Sequence, residues 1–528
     1  LELSGGGLLG RQYAAYALLH ELGVRFFHPE EEFVPVAPRW PAEPLAIERR
    51  PDFEYRSVSL HLTHPLELGD PVRDGVDAYA DEVERYISWQ IKNYASFGLT
   101  GTAALPELTD YGVMRGLPRS TGFALHNQQQ GGGGIIDPDS ALSDEDQIAN
   151  AIDARMGDDP AQYPEQFHFT FNPSEFTEID DETAVRQLTF IADYMAEKYP
   201  DTIVMTINHG TQGEPTENYG VRFYDLPQFA PPNLGVKVHT LMFYDLERPA
   251  PVYGNENFHY LFDFMVDQYQ TRRLWYFPEA AWWLTFDIPV PLYLPITIEA
   301  RDRDLQKIRF MLDGKLDGHR AFGSGHEWGY WQNEYCSLRM SADLDYRWTD
   351  CVADIAAVAG DDLSGELASL IEALVQLQGE HWFDPDVIRW LVGTDAETEL
   401  AAQLGNRTDH GARIVAAEGL FVVHTPLHAD RRHTDALCHF HVIGRIANHQ
   451  RFLGADAIVT QYLLQHEGIR FRACLIRATG DFEVQMQSGR LQCSVQATAA
   501  LAGGDGTAAA AEEAPPRKRP TQRGATKT

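Results

Sequence analysis

The sequence lacks the features of several protein classes. Only five of its 528 residues are cysteines (Cys336, Cys351, Cys438, Cys474 and Cys493), and they form no CxxC pair. This spacing argues against a zinc ribbon or a disulfide scaffold, so we expect buried free thiols. No run of about 18 apolar residues predicts a membrane-spanning helix, and no signal peptide is recognisable. Neither GxGxxG after a first strand nor GxxxxGK[ST] occurs, which argues against nucleotide binding.

Basic residues are also scarce. The chain has 43 Lys and Arg against 77 Asp and Glu, a formal net charge of −34. Such an acidic protein repels phosphate backbones and anionic membranes, so we expect no nucleic-acid partner and no membrane insertion. The chain starts at Leu1 rather than Met, so we expect a truncated N-terminus. We expect the protein in the periplasm or outside the cell, and its oligomeric state stays undetermined.

Residues 46–345 show a pattern of strands that alternate with helices. Seven strands are predicted, at 55–62, 122–127, 167–171, 202–207, 236–243, 273–277 and 319–323. Two of the intervening helices have clear N-caps, Ser143 and Asp180. Repeated strand–helix units over this length favour a closed (β/α)8 TIM-type barrel, in the α/β class, over an open doubly wound sheet.

Shorter segments flank the predicted barrel. Residues 1–45 contain a glycine turn, a helix and a short strand, and we interpret them as the C-terminal part of a small α/β accessory domain. Residues 346–497 are expected to be mainly helical, with helical stretches at 342–403 and 434–465 and strand-like segments at 468–476 and 482–495. Residues 498–528 are rich in Ala, Gly, Pro and basic residues and predict a disordered tail.

Polar and aromatic residues follow almost every predicted strand. In barrels of this type the active site lies at the carboxyl ends of the strands, so these residues predict its position. The predicted substrate-binding residues are His61, His126, Asn127, Asn208, His209, Tyr244, Trp282, Trp283, His326, Trp328, Tyr330, Trp331 and Glu334. Aromatic faces stack on sugar rings, so the pattern favours a carbohydrate substrate.

Carboxylates in the same positions predict glycoside hydrolysis, which needs two carboxyl groups across the scissile bond. Our predicted catalytic pair is Glu327 and Glu279, each among aromatic residues, with Glu214 and Asp245 in reserve. A glutamate among tryptophans is expected to have a raised pKa, which suits a general acid. The structural alternative is that the tryptophans pack the barrel and the glutamates pair with arginines.

Two other functions remain open. A carbohydrate-binding barrel without catalysis would keep the same aromatic residues. A metal-dependent hydrolase on a TIM barrel would use His61, His126 and His209 with an acid. However, His61 and His64 do not form the HxH pair of many such enzymes, and strand alternation directs them to opposite faces. We therefore expect neither a resident metal nor another cofactor.

The segment Gly10–Pro29 (GRQYAAYALLHELGVRFFHP) and the phrase Pro51–Arg56 (PDFEYR) carry a family resemblance. They resemble the junction between accessory domain and barrel in bacterial α-glucuronidases and β-N-acetylhexosaminidases. The resemblance is close up to Arg56 and covers the barrel in outline. It implies a glycoside hydrolase of oligosaccharides or polysaccharides, with uronic-acid-containing ones among the candidates. The adjacent Asp-Glu that such hexosaminidases carry after a strand is missing, so substrate-assisted cleavage of an N-acetyl sugar is not expected.

Overall fold

The computed structural model describes most of the first three quarters of the chain. The described residues are 2–36, 40, 46–60, 80–97, 106–128, 133–174, 178–211, 213–280, 294–312, 314, 316–323, 331–381, 383–384, 413–417, 420–424, 458–462, 473–477, 483–487 and 490–494. The chain divides into two compact units, Leu1–Cys438 and His439–Thr528.

The chain begins with a helix and a short hairpin. These are α1 (Gly7–Glu21) and the antiparallel strands β1 (Arg25–His28) and β2 (Glu31–Phe33). Gly23 follows the helix with a φ of +87°, a left-handed conformation that favours glycine. The indole Nε1 of Trp89 donates to the carbonyl oxygen of Phe26 at 2.9 Å, which fastens this segment to the barrel.

Seven parallel strands form one curled sheet. They are β3 (Tyr55–Leu60), β4 (Ser120–Ala124), β5 (Gln166–Thr170), β6 (Ile203–His209), β7 (Leu234–Thr240), β8 (Leu274–Pro278) and β9 (Gly318–Gly323). Strands β4 to β9 lie side by side in chain order, and β3 pairs with β9. Tyr55 stands opposite Gly318 and Leu60 opposite Gly323, so the first and last strands are joined as in a closed barrel. All seven strands predicted from the sequence are confirmed.

Helices connect these strands on the outside of the sheet. They are α2 (Ala80–Lys92), α3 (Pro106–Met114), α4 (Asp144–Met156), α5 (Asp181–Lys198), α6 (His259–Gln268) and α7 (Ile296–Met311). Both predicted N-caps are confirmed. Ser143 Oγ accepts the N–H of Asp146 at 3.1 Å, and the Asp180 carboxylate accepts the N–H of Thr183 at 2.8 Å.

The sheet has seven strands in the described part of the chain, not the eight of the predicted (β/α)8 barrel. Its opening lies between β3 and β4. At that opening the chain already runs beside β3, because Ser96 donates its N–H to the carbonyl oxygen of Arg56 at 2.9 Å. Residues 98–105, which follow, lie outside the described residues. The sequence pattern predicts these seven strands, and the closed barrel was expected from the number of strand–helix units.

Side chains alternate between the barrel interior and the surrounding helices. Trp275 of β8 points inward, where its ring stacks on Tyr55 at 5.2 Å between centroids. Its neighbour Tyr276 points outward and donates its hydroxyl to the carboxylate of Asp304 on α7. The same period directs Glu279, just beyond the end of β8, to the interior.

Three helices follow the barrel, and a disulfide joins the first two. They are α8 (Trp331–Ala342), α9 (Trp348–Ala356) and α10 (Ser364–His381). Cys336 of α8 and Cys351 of α9 form the disulfide, with their Cα atoms 5.8 Å apart. The expectation of free thiols is therefore wrong for these two residues. Helix packing brings them together across 15 positions of sequence, a spacing that identifies no disulfide by itself.

The elements described beyond residue 384 are strands. They form three antiparallel pairs: β10 (Arg413–Ala417) with β11 (Leu420–His424), β12 (Ile458–Tyr462) with β13 (Ala473–Arg477), and β14 (Glu483–Gln487) with β15 (Arg490–Ser494). Strands β13, β14 and β15 lie in or beside the strand-like segments expected at 468–476 and 482–495, and β12 lies within the segment expected to be helical at 434–465. The expected tail at 498–528 lies outside the described residues.

Candidate active site at the barrel mouth

Aromatic rings fill the barrel at the amino ends of its strands. The indole of Trp275 stacks on Tyr55 and meets the ring of Phe97 edge-on at 5.4 Å. A Cβ atom at Gly318 would lie 2.7 Å from that indole, so the strand can approach only because residue 318 is glycine. With this end packed, the opposite end of the strands, here called the barrel mouth, is where a substrate would enter.

Two buried cations lie between the packed end and the mouth. They are Lys237 of β7 and Arg320 of β9, together called the cation layer. Lys237 Nζ is 5.7 Å from the ring centre of Phe277, and Arg320 Cζ is 5.6 Å from the same centre. Arg320 donates to Ser59 Oγ at 2.8 Å. Within the described residues, no carboxylate and no hydrogen-bond acceptor pairs with Lys237 Nζ.

Burial shifts the protonation of this layer. It lowers the pKa of Lys237 well below its ordinary value, and the positive charge of Arg320 lowers it further. Burial also lowers the pKa of Arg320, to about 9. The pKa of His168 on β5 falls well below its usual range for the same reason, and both cations add to the effect. The layer therefore favours an anion, because like charges repel strongly away from water.

A carboxylate and a histidine meet above the cation layer. Oε1 of Glu279 lies 3.5 Å from Nε2 of His239, and both side chains are buried. Nδ1 of His239 lies 2.6 Å from the carbonyl oxygen of Phe277. A carbonyl only accepts, so Nδ1 carries a hydrogen and Nε2 faces the carboxylate.

The backbone after β7 holds the other oxygen of the same carboxylate. Oε2 of Glu279 accepts the N–H of Met242. Met242 has a φ of +55°, a left-handed conformation that is rare for residues other than glycine. Backbone in this conformation persists where its surroundings enforce it, and active sites are frequent locations. Glu279 is therefore fixed at both oxygens.

Strand β6 carries two of the predicted substrate-binding residues, His209 and Asn208, and they point in opposite directions. His209 faces the interior, where its ring lies 4.8 Å from that of His239 between centroids. Burial, together with His239 and Arg222, lowers the pKa of His209 well below its usual value. Asn208 points the other way and donates to Asp225 at 2.8 Å. Asn208 therefore contacts the segment after β6, and its side chain does not point into the barrel.

Asp245 and Tyr244 lie behind the mouth, in the turn after β7. The Asp245 carboxylate accepts the N–H groups of Glu247 at 2.9 Å and Arg248 at 2.6 Å, and it also pairs with the Arg248 guanidinium. Tyr244 is buried, with its ring 5.8 Å from that of Phe383. Asp245 therefore stabilises the turn, and Tyr244 packs against a neighbouring aromatic ring.

Helix α8 places Glu334 and Trp331 outside the barrel wall. A Cβ atom at Gly323 would lie 2.4 Å from both Glu334 Oε1 and Val58 Cγ1, so Glu334 occupies the helix-facing side of β9. The ring of Trp331 lies 5.2 Å from that of Phe27 in the N-terminal hairpin. Neither side chain faces the interior where Glu279 lies.

The loops after β4 and β6 place the remaining described candidates near the rim. His126 is half-buried, with Nε2 3.2 Å from Gln187 Oε1, and burial lowers its pKa. Asn127 is exposed and accepts the N–H of Gly134 at 2.9 Å. Glu214 is exposed on the loop after β6. His61, Trp282, Trp283, His326, Glu327, Trp328 and Tyr330 lie outside the described residues.

Sequence reasoning missed the cation layer and a further carboxylate. Lys237 interrupts an otherwise apolar strand, LGVKVHT, and a charge in the middle of a buried strand is the signal that would have found it. Arg320 likewise lies inside a strand, β9, and not after one. Glu178 was passed over because it follows no strand directly. Its Oε1 lies 2.9 Å from the position of a Cβ on Gly213, beside Glu214, and burial raises its pKa.

The described residues form neither a membrane-spanning helix nor a cluster of metal ligands. None of their helices is long and apolar enough to cross a membrane. They also contain no group of three or more His, Cys, Asp or Glu side chains that is arranged to hold a metal ion. Of the histidines proposed for a metal-dependent hydrolase, His126 contacts Gln187 and His209 contacts His239.

No protein-family model and no curated protein matches the chain. Among solved structures, it is similar to a family 115 4-O-methyl-α-glucuronidase with specificity for decorated arabinogalactans, at 10 % identity and a TM-score of 0.45, over 69 % of this chain and 49 % of that one. It is also similar to a family 89 glycoside hydrolase from Clostridium perfringens, at 8 % identity and a TM-score of 0.39, over 66 % and 44 %. The chain spans about half the length of these two proteins.

A third similar structure is a family 5 glycoside hydrolase from Prevotella bryantii B14. It is 12 % identical, with a TM-score of 0.34, and the match covers 57 % of this chain and 100 % of that one.

Proposed function

We propose that the chain is a glycoside hydrolase that acts at the barrel mouth with Glu279 as its catalytic acid. One observation carries the proposal: a buried carboxylate at the carboxyl end of a barrel strand lies 3.5 Å from the ring nitrogen of a histidine whose other nitrogen contacts a backbone carbonyl. A carboxyl group in such a position can protonate a glycosidic oxygen.

Glycoside hydrolysis needs a second carboxyl group, about 5 to 10 Å from the first. We propose Glu327, the residue predicted from the sequence, for this role. In the chain it follows β9, and β9 pairs with β8, the strand that Glu279 follows. Glu214, exposed on the loop after β6, is the reserve. Asp245 is not retained, because Arg248 and two backbone N–H groups occupy its carboxylate.

The cation layer supports a substrate that carries a carboxylate, such as an oligosaccharide with a uronic acid residue. Guanidinium and ammonium groups are the usual partners of sugar carboxylates, and a buried position strengthens each such contact. An anion beside Lys237 would favour the charged amine over the neutral one. Binding of a uronic acid would therefore be accompanied by uptake of a proton.

The test is turnover of chromogenic glycosides by the purified chain. Hydrolysis of a 4-nitrophenyl uronide should exceed that of the corresponding neutral hexoside. Glu279→Gln should lower kcat by about 10²- to 10⁴-fold, the usual contribution of a general acid. Glu327→Gln tests the second carboxyl group. Glu372→Gln, an exposed position on α10, is the matched control and should retain wild-type turnover.

Two outcomes would favour the other functions. If the wild type binds sugars and Glu279→Gln binds them equally, with no turnover in either, the chain is a carbohydrate-binding barrel without catalysis. If a chelator abolishes turnover and added metal restores it, the metal-dependent hydrolase replaces the present proposal. Turnover that resists the chelator and depends on Glu279 supports it.

We also propose that the protein works in the periplasm or outside the cell. The disulfide between Cys336 and Cys351 supports this location, because disulfides persist mainly in oxidising compartments. Fractionation of the native host with an antibody against the chain tests it. Recovery in the cytosolic fraction alone, with both thiols free, would overturn the proposal.

A further inference from the structure

Helix α7 holds the backbone that follows β7 from outside the barrel. The guanidinium of Arg301 on α7 donates through Nη1 to Thr240 Oγ1 at 3.0 Å and through Nη2 to the carbonyl oxygen of Tyr244. Thr240 is the last residue of β7, and Tyr244 follows shortly after it in the chain. One side chain therefore holds both ends of the segment 240–244, here called the β7 turn.

The same guanidinium also reaches the neighbouring strand. Nη1 of Arg301 donates to the hydroxyl of Tyr276 on β8 at 3.1 Å, and Arg301 is fully buried. A guanidinium is planar and directs its donors in fixed directions, so it can contact β7, β8 and the far end of the turn at once. The ammonium group of a lysine is a single point charge and could not span these three acceptors.

The middle of the β7 turn is the strained residue Met242. Its φ of +55° is left-handed, and its N–H donates to Oε2 of Glu279. Such a conformation persists only where the surroundings enforce it. Arg301 supplies that enforcement, because the ends of the turn cannot move apart while it holds both. Relaxation of Met242 to an ordinary conformation would redirect its N–H away from the carboxylate.

The main chain of Glu279 has attachments of its own. The N–H of Glu279 donates to the carbonyl oxygen of Thr240 at 3.1 Å, and the N–H of Ala280 donates to that of Phe322 at 2.8 Å. The strands on both sides therefore fix the backbone at residue 279. A loosened β7 turn should for this reason disturb the orientation of the carboxylate more than the position of the residue.

An ion pair with Asp304 does not account for the position of Arg301. The closest approach of the two groups is 3.8 Å, from Nη2 to Oδ2, which is longer than the 3.0 Å bond to Thr240. The Asp304 carboxylate instead accepts the Tyr276 hydroxyl and, at 2.7 Å, the N–H of Leu246. Both charged residues of α7 therefore contact β8 and the segment after β7 directly.

We propose that Arg301 is a positioning residue for Glu279, on the basis of the function proposed for that carboxylate. Arg301 acts by holding the β7 turn, and with it the left-handed conformation of Met242 that directs an N–H at Oε2. It lies behind β7 and β8, on the helix-facing side of the sheet, and does not touch a substrate in the barrel.

The first test is turnover of a 4-nitrophenyl uronide by the full chain. Arg301→Lys should lower kcat by about 10- to 100-fold, the usual effect of losing a group that orients an active residue, and should change KM by less than about threefold. Met242→Gly should restore most of the lost kcat in the Arg301→Lys background, because glycine adopts the left-handed conformation without support. Arg309→Lys, at the surface end of the same helix, is the matched control and should behave as wild type.

The second test needs no turnover. Hydrogen exchange of backbone amides is followed by NMR in the full chain labelled with isotopic methionine, and the Met242 signal is assigned by its loss in Met242→Leu. Arg301→Lys should speed exchange at Met242 by about tenfold or more, because the turn opens locally. The amide of Met205, in the buried strand β6, should exchange at the wild-type rate.

Exchange at Met242 that Arg301→Lys leaves unchanged would overturn the proposal. Equal acceleration at Met205 would do the same, because it indicates general loosening of the barrel, and so would a loss of kcat that Met242→Gly does not restore. If the wild type hydrolyses no glycoside, the function proposed for Glu279 fails, and exchange at Met242 alone decides whether Arg301 holds the turn. If Arg301→Lys does not fold, Thr240→Val, which removes one of the three acceptors, replaces it in both tests with the same expected directions.

Discussion

The ring of His239 and the carboxylate of Glu279 lie side by side in a buried pair, and a backbone group contacts each of them. Nδ1 of His239 lies 2.6 Å from the carbonyl oxygen of Phe277, and Nε2 lies 3.5 Å from Oε1 of Glu279. Because the ring cannot turn without losing the carbonyl contact, its second nitrogen stays directed at the carboxylate. His239 is therefore a positioning residue for the proposed acid.

His239→Gln is expected to lower kcat by about 10- to 100-fold, the usual effect of removing the group that orients an active residue. KM should change little, because the carboxylate and the cation layer remain. The pH profile of kcat should also change, because the imidazole beside the proposed acid is lost, and a merely structural role would not produce that change. His259→Gln, at an exposed position on α6, is the control. A parallel rise in KM with an unchanged pH profile would contradict the prediction.

Lys237 should lower the free energy of unfolding of the unliganded protein, although its charge favours the binding of an anion. Lys237→Met is expected to raise the free energy of unfolding at pH 7 by about 1–3 kcal/mol, because it removes a buried donor that has no acceptor among the described residues. The folded-state pKa is lowered, so the unfolded chain binds more protons and the stability of the wild type rises with pH. The gap between the two proteins should narrow as the pH approaches the ordinary lysine pKa of 10.5.

Urea unfolding of both proteins between pH 6 and 10 measures this gap. Lys198→Met, which removes an exposed amine paired with Asp153 at the surface, is the control and should not stabilise the fold. A Lys237→Met variant that is less stable than wild type at every pH would show that the amine has a stabilising partner. The uronide-binding role of the cation layer would then lose its physical basis.

The sequence predicted the strands well because their signal is local. Seven strands and the caps at Ser143 and Asp180 depend on residues close together in the chain, which alternation and N-cap preference describe. The barrel mouth also followed, since the carboxyl ends of parallel strands share one end of a sheet. Glu279 and His209 were named on this argument, and both face the interior.

Contacts between residues that are distant in the chain leave no local pattern in the sequence. Asp245 follows a strand as a catalytic residue would, but its partner Arg248 makes it part of a turn. Glu334 stands among aromatic residues in the sequence, and only the close approach permitted by Gly323 shows that it lies behind β9. Lys237 lies inside a strand, whereas the argument from parallel strands predicts only residues that follow one.

The disulfide between Cys336 and Cys351 should make a measurable contribution to stability. The two cysteines are 15 residues apart, and closing a loop of that length is worth about 3 kcal/mol in the chain-entropy model. Cys336→Ser with Cys351→Ser should therefore lower the free energy of unfolding by roughly that amount. Urea unfolding measures the loss, and peptide mapping without reductant verifies the pairing. Equal stability of the double variant and the oxidised wild type would contradict the assignment.

Asp304 should give the protein a pH-dependent stability below neutrality. Burial raises the pKa of Asp304 to about 7, against the opposing effect of Arg301. Its carboxyl group accepts from the Tyr276 hydroxyl and, at 2.7 Å, from the N–H of Leu246. A raised folded-state pKa means that the folded protein holds a proton that the unfolded chain loses near pH 4. This contribution is complete below that pH and is lost as the pH rises through about 7.

Asp304→Asn cannot lose that proton, so its free energy of unfolding should fall less steeply with pH than that of wild type between pH 4 and 7. The difference in slope should approach that of one proton, about 1.4 kcal/mol per pH unit. Urea unfolding at four or more pH values across this range measures both slopes. Asp361→Asn, at an exposed position before α10, is the matched control and should follow the wild type. Parallel slopes for wild type and Asp304→Asn would mean that Arg301 keeps the carboxylate ionised in the folded protein, and that ion pairing prevails over burial at this site.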